Sequence, residues 1–195
     1  MALRAALFDL DGTVVENASD WPRIKAELGT EGKPILTYLQ GLAEPERSRK
    51  WAILERHEAE QTARSTLRPG MDGLLAFLRE NKVGTALVTN NSERNVRLLT
   101  ARFRLSFDVM LSRASGLWKP SGAPVREALR RLGAGPEESC VVGDTRFDVL
   151  AAREAGIPRV FLLDASAAGA GESGVEVVAD AASLRERLKT LLAER

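Results

Sequence analysis

Arg4-Ala5-Ala6-Leu7-Phe8-Asp9-Leu10-Asp11-Gly12-Thr13 is a short apolar run that stops at two aspartates one residue apart. Arg4–Phe8 predicts a strand, and its near-continuous apolar character predicts one covered on both faces. Comparable runs follow at Val83–Thr89, Phe107–Leu111, Ser139–Val142 and Arg159–Leu163, with a weaker sixth at Val175–Val178. Between them lie segments with helical periodicity and recognisable ends. Ser92 is placed to cap a helix presenting Val96, Leu99 and Phe103. Gly133 follows a helix carrying Val125, Leu129 and Leu132, and Gly156 follows one carrying Leu150. The last helix starts near Ser183 and presents Leu184, Leu188 and Leu191. Strands alternating with helices in this way predict a three-layer α/β/α, Rossmann-like fold on a parallel sheet.

One stretch departs from the alternation. From Ala18 to Leu67 no strand is evident, and Trp21, Ile24 and Leu28 fall at helical spacing. Pro34 opens a helix with Ile35, Leu39 and Leu42, and Pro45 opens another with Trp51 and Leu54. The last of these becomes almost wholly polar from Glu55 to Arg64, which predicts a narrow contact face. The expected organisation is an α/β core of residues 1–17 and 68–195, with a small helical cap, 18–67, inserted after the first strand. The segment Ala165–Gly174, rich in Ala, Gly and Ser, reads as a surface connection.

Composition narrows the class of function. The 195 residues carry 28 basic and 27 acidic side chains, so no global charge draws the chain to nucleic acid or to an anionic membrane. The apolar start ends at Phe8, short of a secretory signal, and no apolar run has the length of a membrane span. A cytoplasmic location is the expectation. Cys140 is the single cysteine and lies in the apolar run Cys140-Val141-Val142, which predicts a small buried hydrophobe rather than a ligand.

The chemistry-bearing residues gather at strand ends, where open α/β sheets bind their ligands. The first strand ends in Asp9, with Asp11 just beyond. The second ends in Thr89 and Asn90. The fourth runs into Gly143-Asp144, with Asp148 a turn later, and Lys119 lies in the loop after the third. Singly, each has a plain structural reading: Asp11-Gly12 a tight turn, Thr89 or Asp144 a helix cap, Lys119 a solvated lysine. Asp-x-Asp-Gly also resembles the start of a calcium loop, but its glycine comes too early and the later ligands are missing. Asp9, Asp11, Thr89, Lys119 and Asp144, five polar groups from separate parts of the chain aimed at one crevice, are better explained by catalysis.

In this order the residues resemble the haloacid dehalogenase superfamily. Phe8-Asp9-Leu10-Asp11-Gly12-Thr13 is similar to its first motif, Thr89 with its apolar lead-in to the second, Trp118-Lys119-Pro120 to the third, and Val141–Asp148 to the acidic fourth. Leu67-Arg68-Pro69-Gly70-Met71 resembles the usual return from cap to core. The resemblance implies a magnesium-dependent phosphatase acting on a small phosphorylated metabolite. Asp9 would attack phosphorus and form an aspartyl phosphate, and Asp11 would serve as general acid and then base. Thr89, Asn90 and Lys119 would hold the phosphoryl group. Asp9, the Asp11 backbone carbonyl and Asp144 would ligate Mg2+, with Asp148 orienting water or Lys119. No nucleic-acid or membrane partner is implied, and the chain would be a monomer or homodimer. Asp11 separates phosphatases from the dehalogenases, which lack it. A phosphomutase using the same aspartyl phosphate, or a non-catalytic binding protein of the same fold, is the alternative. The insertion occupies the position of the cap in the phosphoglycolate-phosphatase-like branch but is shorter, and Val15-Glu16-Asn17 replaces the common Val-Asp-Ser.

Four other features read as structural. His57, the only histidine, falls on a polar stretch and predicts a solvated surface position. Trp21 and Trp51 predict the core of the small cap, while Trp118 is a candidate for the site entrance. Arg49-Lys50 and Arg130-Arg131 read as solvated helix faces.

Overall fold

A computed structural model describes residues 3–16, 20–30, 32–163 and 171–193. The chain divides into two compact units, one of residues 1–16 with 66–195 and one of residues 17–65.

The first unit begins with β1 (Ala5–Phe8) and leaves through β2 (Val15–Glu16). It resumes at β3 (Thr66–Leu67), which pairs antiparallel with β2, Val15 opposite Leu67. Then follow α4 (Met71–Glu80), β4 (Gly84–Val88), α5 (Glu93–Arg102), β5 (Val109–Leu111), α6 (Ala123–Leu132), β6 (Ser139–Gly143), α7 (Arg146–Glu154), β7 (Arg159–Leu162), β8 (Val175–Val177) and α8 (Ala181–Ala193). The helices α1 to α3 belong to the other unit. Six strands form one parallel sheet in the order β5-β4-β1-β6-β7-β8. The expected strands are all present, each within two residues of its predicted ends. The β2–β3 pair is a correction. Two-residue strands leave no periodic signature, so Thr66 and Leu67 read as helical insertion when they close the α/β unit instead.

Strand alternation sends successive side chains to opposite faces of the sheet. Ala6 and Phe8 join a cluster with Leu74, Leu78, Val96, Leu99, Leu184 and Leu188, from α4, α5 and α8. Ala5 and Leu7 join Val125, Leu129, Val149 and Ala152, from α6 and α7. This is the three-layer arrangement. β1 lies at its centre because every one of its residues is buried on both faces. Cys140 in β6 is fully enclosed, and burial pushes its thiol up to about 12.

The second unit holds α1 (Trp21–Leu28), α2 (Ile35–Gln40) and α3 (Glu46–Arg64). Asp20 caps α1 by accepting from Arg23 N–H at 3.0 Å. Ile24, Leu28, Leu36, Leu39 and Leu54 are its buried apolar residues. Trp21 is exposed and Trp51 is half-buried, which corrects the expectation that the two tryptophans build this core. Trp21 stands at the first position of its helix, ahead of the inward stripe that Ile24 and Leu28 define. His57 is also corrected: its Nε2 lies 2.7 Å from Glu27 Oε2, and its side chain is only 13% exposed. The polar half of α3 buries Glu58 and Thr62. Of the predicted connection Ala165–Gly174, residues 165–170 lie outside the described residues, and 171–174 form a turn leading into β8.

Candidate active site

Parallel strands point their carboxyl ends the same way, so the residues that leave β1, β4 and β6 emerge along one edge of the sheet. Register makes this concrete: Phe8 lies beside Leu87 on one side and Val142 on the other. Asp9 therefore falls level with Val88 and Gly143, and Thr89 and Asp144 follow one residue farther along their own strands. The chain also reverses its direction of travel across the sheet at β1, running outward to β5 and then crossing back to β6. That is the topological switch point, where open α/β sheets leave a crevice.

The crevice is lined with charge. Lys119 Nζ sits 2.7 Å from Asp9 Oδ1 and 2.6 Å from Asp148 Oδ1, with all three side chains nearly enclosed. One carboxylate oxygen from each of Asp9, Asp144 and Asp148 falls within 4.8 Å of the others. Asp144 is held from below by Thr13, whose hydroxyl donates to Oδ1 at 3.1 Å. Asp148 uses its other oxygen to accept from Thr145 N–H at 3.0 Å and the Thr145 hydroxyl at 2.7 Å, which ties it to the start of α7.

The backbone makes room for these groups. Gly12 has φ +82°, and a Cβ there would lie 2.0 Å from Asp144 Oδ2. A Cβ on Gly143 would lie 2.3 Å from the Asp148 carboxyl carbon. Arg68, just after β3, fixes the same loop from outside. Its Nε donates to Thr13 O at 2.8 Å, its Nη2 donates to Gly12 O at 2.5 Å, and its Nη1 is 3.4 Å from Glu16.

Thr89 is buried at the end of β4, and its hydroxyl oxygen accepts from Asn91 N–H at 3.1 Å. Asn90 clasps the lysine loop. Its Nδ2 donates to Lys119 O and its Oδ1 accepts from Lys119 N–H, both at 2.8 Å. Asp11 is drawn toward this loop by Asn91, whose Nδ2 donates to Asp11 Oδ2 at 2.8 Å. The structure thus brings Asp9, Lys119, Asp144 and Asp148 into direct contact or near it; the Asn90 amide ties to the Lys119 backbone, and Asn91 joins Asp11, through its side-chain amide, to Thr89, through its backbone N–H. His57 belongs to the helical unit and has Glu27 as its partner.

Electrostatics give the cluster its chemistry. Burial, reinforced by Asp148 and Asp11 and opposed by Lys119, pushes Asp9 up to about 7. Burial together with Asp9 and Asp148 pushes Asp144 up to about 8. Burial alone would lower Lys119, but Asp148 and Asp9 outweigh it and hold the ammonium well above its ordinary range. Three ionised carboxylates against one ammonium would leave two negative charges uncompensated in an enclosed site. Oxygen donors that are short of positive charge suit a hard divalent cation, and the residues present fit one.

Residues 3–156 match the family model described as haloacid dehalogenase-like hydrolase. The chain belongs to that family. It is 31% identical over 189 residues to a phosphoglycolate phosphatase of Yersinia pestis, spanning 83% of this chain and 81% of that one. It is 26% identical over 162 residues to a haloacid dehalogenase-like hydrolase domain-containing protein of Arabidopsis thaliana, covering 76% of this chain and 66% of that protein. Among solved structures, a hydrolase from Pseudomonas syringae superposes with a TM-score of 0.77 over 96% of this chain and 98% of its own, at 18% identity.

Sequence reasoning passed over Thr13, Arg68, Asn91 and Asn95. Thr13 and Arg68 stand inside motifs that were read for other residues. Asn91 and Asn95 carry a signal of their own: two amides four apart, one preceding a helix and one in its first turn, lie on the same side of it.

Proposed function

We propose that this protein is a magnesium-dependent phosphatase that hydrolyses a small-molecule phosphate monoester through an aspartyl phosphate on Asp9. The supporting observation is the contact of Asp9 with Lys119 beside Asp144 and Asp148, at the strand-end crevice, with a second carboxylate, Asp11, held close by. Phosphoryl transfer asks a protein mainly for positioning and charge compensation, and this group of residues supplies both. In the first step an Asp9 carboxylate oxygen bonds to phosphorus as the bond from phosphorus to the ester oxygen breaks. Asp11, protonated, gives its proton to that departing oxygen. In the second step Asp11 takes a proton from water, the water oxygen bonds to phosphorus, and the bond from phosphorus to Asp9 breaks. Splitting one displacement into two in this way is the gain of nucleophilic catalysis.

Lys119 opposes the protonation of Asp9 and faces the phosphoryl oxygens, while Thr89 and the Asn90 N–H hold one of them. The Asp9 carboxylate, the Asp11 carbonyl and the Asp144 carboxylate would hold Mg2+. The ion supplies positive charge against the carboxylates and the transferring group. The helical unit is inserted in the chain after the first strand, and we assign it the role of a cap that chooses the substrate. The namesake activity of the Yersinia pestis relative makes a phosphorylated organic acid the first compound to try.

The test is phosphate release from 4-nitrophenyl phosphate with and without Mg2+, in the wild type and in Asp9→Asn. Turnover should need the metal and fall by at least about 10^4-fold in the variant, with an unchanged circular dichroism spectrum. Activity retained in Asp9→Asn would refute the assignment. One free phosphate released per ester consumed distinguishes hydrolysis from transfer to a second sugar.

A further inference from the structure

Asn91 is a buried amide whose two ends face different partners. Its Oδ1 accepts from Ser92 N–H at 2.7 Å and from Asn95 Nδ2 at 3.0 Å. Its Nδ2 is therefore left to face Asp11, where it donates to Oδ2 at 2.8 Å. Turned over, the amide would set its NH2 against two donors and its oxygen against a carboxylate. The orientation is imposed from α5, because Asn95 lies in the first turn of that helix with its own backbone N–H bound to the Ser92 hydroxyl at 3.2 Å.

Asn95 is 4% exposed, and Val96 and Leu99 beside it belong to the apolar cluster beneath the sheet. An enclosed amide on such a helix is costly unless its hydrogen bonds are made. Packing needs no amide there, whereas an amide pointed at Asn91 does something packing cannot: it decides which end of Asn91 reaches Asp11.

We propose that Asn95 and Asn91 form a positioning relay for Asp11, in which Asn95 sets the Asn91 amide and Asn91 holds the Asp11 carboxyl for proton delivery. The relay rests on the reading of Asp11 as general acid given above. With a donor on Oδ2, the acidic proton of Asp11 is carried on Oδ1. From there it passes to the ester oxygen as the bond from that oxygen to phosphorus breaks and the bond from Asp9 to phosphorus forms. Neither asparagine exchanges a proton.

A residue that positions a general acid matters in proportion to how much the leaving group needs a proton. 4-Nitrophenolate leaves readily without one, and phenolate does not. The experiment therefore compares kcat/KM for phenyl phosphate and 4-nitrophenyl phosphate with Mg2+, in the wild type and in Asp11→Asn, Asn91→Ala and Asn95→Asp. Asn95→Asp is nearly isosteric, but an ionised carboxylate there accepts instead of donating, so it favours the turned-over Asn91 amide. All three variants should lose at least about tenfold more on phenyl phosphate than on 4-nitrophenyl phosphate. For the two asparagine variants the loss should fall on kcat more than on KM, and Asn91→Ser, which keeps a short donor, should recover part of it.

Equal losses on both esters in Asn91→Ala and Asn95→Asp, with Asp11→Asn still selective, would overturn the relay alone and leave Asp11 as the acid. An unselective Asp11→Asn would overturn the acid assignment and the relay with it. Should Asn95→Asp fail to fold, judged by its thermal transition, Asn91→Ala and Asn91→Ser decide the question.

Discussion

The two units of this chain handle charge in opposite ways. In the α/β unit, Asp9 at the end of β1 and Asp148 in α7 are enclosed, and both contact the enclosed Lys119. In the helical unit, the Glu27 carboxylate, about a third exposed, meets the exposed Arg56 at 2.5 Å and the more sheltered His57 at 2.7 Å, and solvent screens the Arg56 contact. Exposed pairs of that kind contribute little to stability and tolerate change. In the enclosed group, burial raises carboxylate proton affinities against the pull of Lys119, and such sites carry chemistry. Substitutions should therefore act more strongly in the α/β unit than in the helical one.

The largest expected contrast pairs two glycines. Both Gly12 and Gly32 have positive φ, +82° and +83°, but a Cβ on Gly32 meets nothing within 4 Å whereas one on Gly12 runs into the Asp144 carboxylate. Gly32→Ala should cost about 1 kcal/mol from backbone strain alone and leave catalysis near wild type. Gly12→Ala should lower kcat/KM for 4-nitrophenyl phosphate at least about 100-fold, because it displaces a carboxylate of the cluster. Parallel thermal melts and rate measurements check both. Comparable rates in the two variants would erase the contrast.

Next in size is a pH effect confined to the α/β unit. Asp9 and Asp144 are raised from their ordinary 3.8 to about 7 and about 8. With the folded values above the unfolded ones, the native state binds more protons across this window, so the metal-free protein should lose stability as pH rises from about 4 to 8. A divalent cation needs the same carboxylates ionised and should bind more tightly over that rise. Melting temperatures measured with a chelator should therefore fall with pH, while those with excess Mg2+ should fall less or climb. Parallel curves would show that the cation does not use this cluster.

The smallest effect belongs to the helical unit. Glu27→Gln removes the partner of Arg56 and His57, and it should move the melting temperature by no more than about 2 °C. Hydrogen bonds from His57 and then Arg56 hold Glu27 below the usual carboxylate range, so whatever stability it adds is present at neutral pH and lost on acidification. A large shift would mean that this surface cluster is structural after all.

Much of this organisation was legible in the sequence. Strand ends could be found because a charged residue interrupting an apolar run is a sharp local event, as at Phe8-Asp9 and Gly143-Asp144. Parallel pairing then brings such ends together whatever their separation along the chain. What escaped has a physical pattern too. Thr66 and Leu67 pair over two residues, too short for periodicity to register. Trp21 misled because a large apolar side chain suggests burial wherever it stands, although its place at the start of α1 leaves it exposed. Asn91, Asn95 and Arg68 act through hydrogen bonds to particular atoms. Amide and guanidinium partners are fixed by three-dimensional orientation, for which a linear pattern carries little trace.

Cys140 has a practical consequence. It is the chain's only cysteine, it is sealed within the central sheet, and its thiol ionises only near the alkaline limit. Maleimide reagents react with thiolates they can reach, so the native chain should stay dark to them at neutral pH. Two cysteines introduced at chosen surface sites, one on each unit, would then be the only atoms labelled. A pair of fluorophores placed there would measure the distance between the units in solution, with and without substrate, on a background that needs no native residue removed.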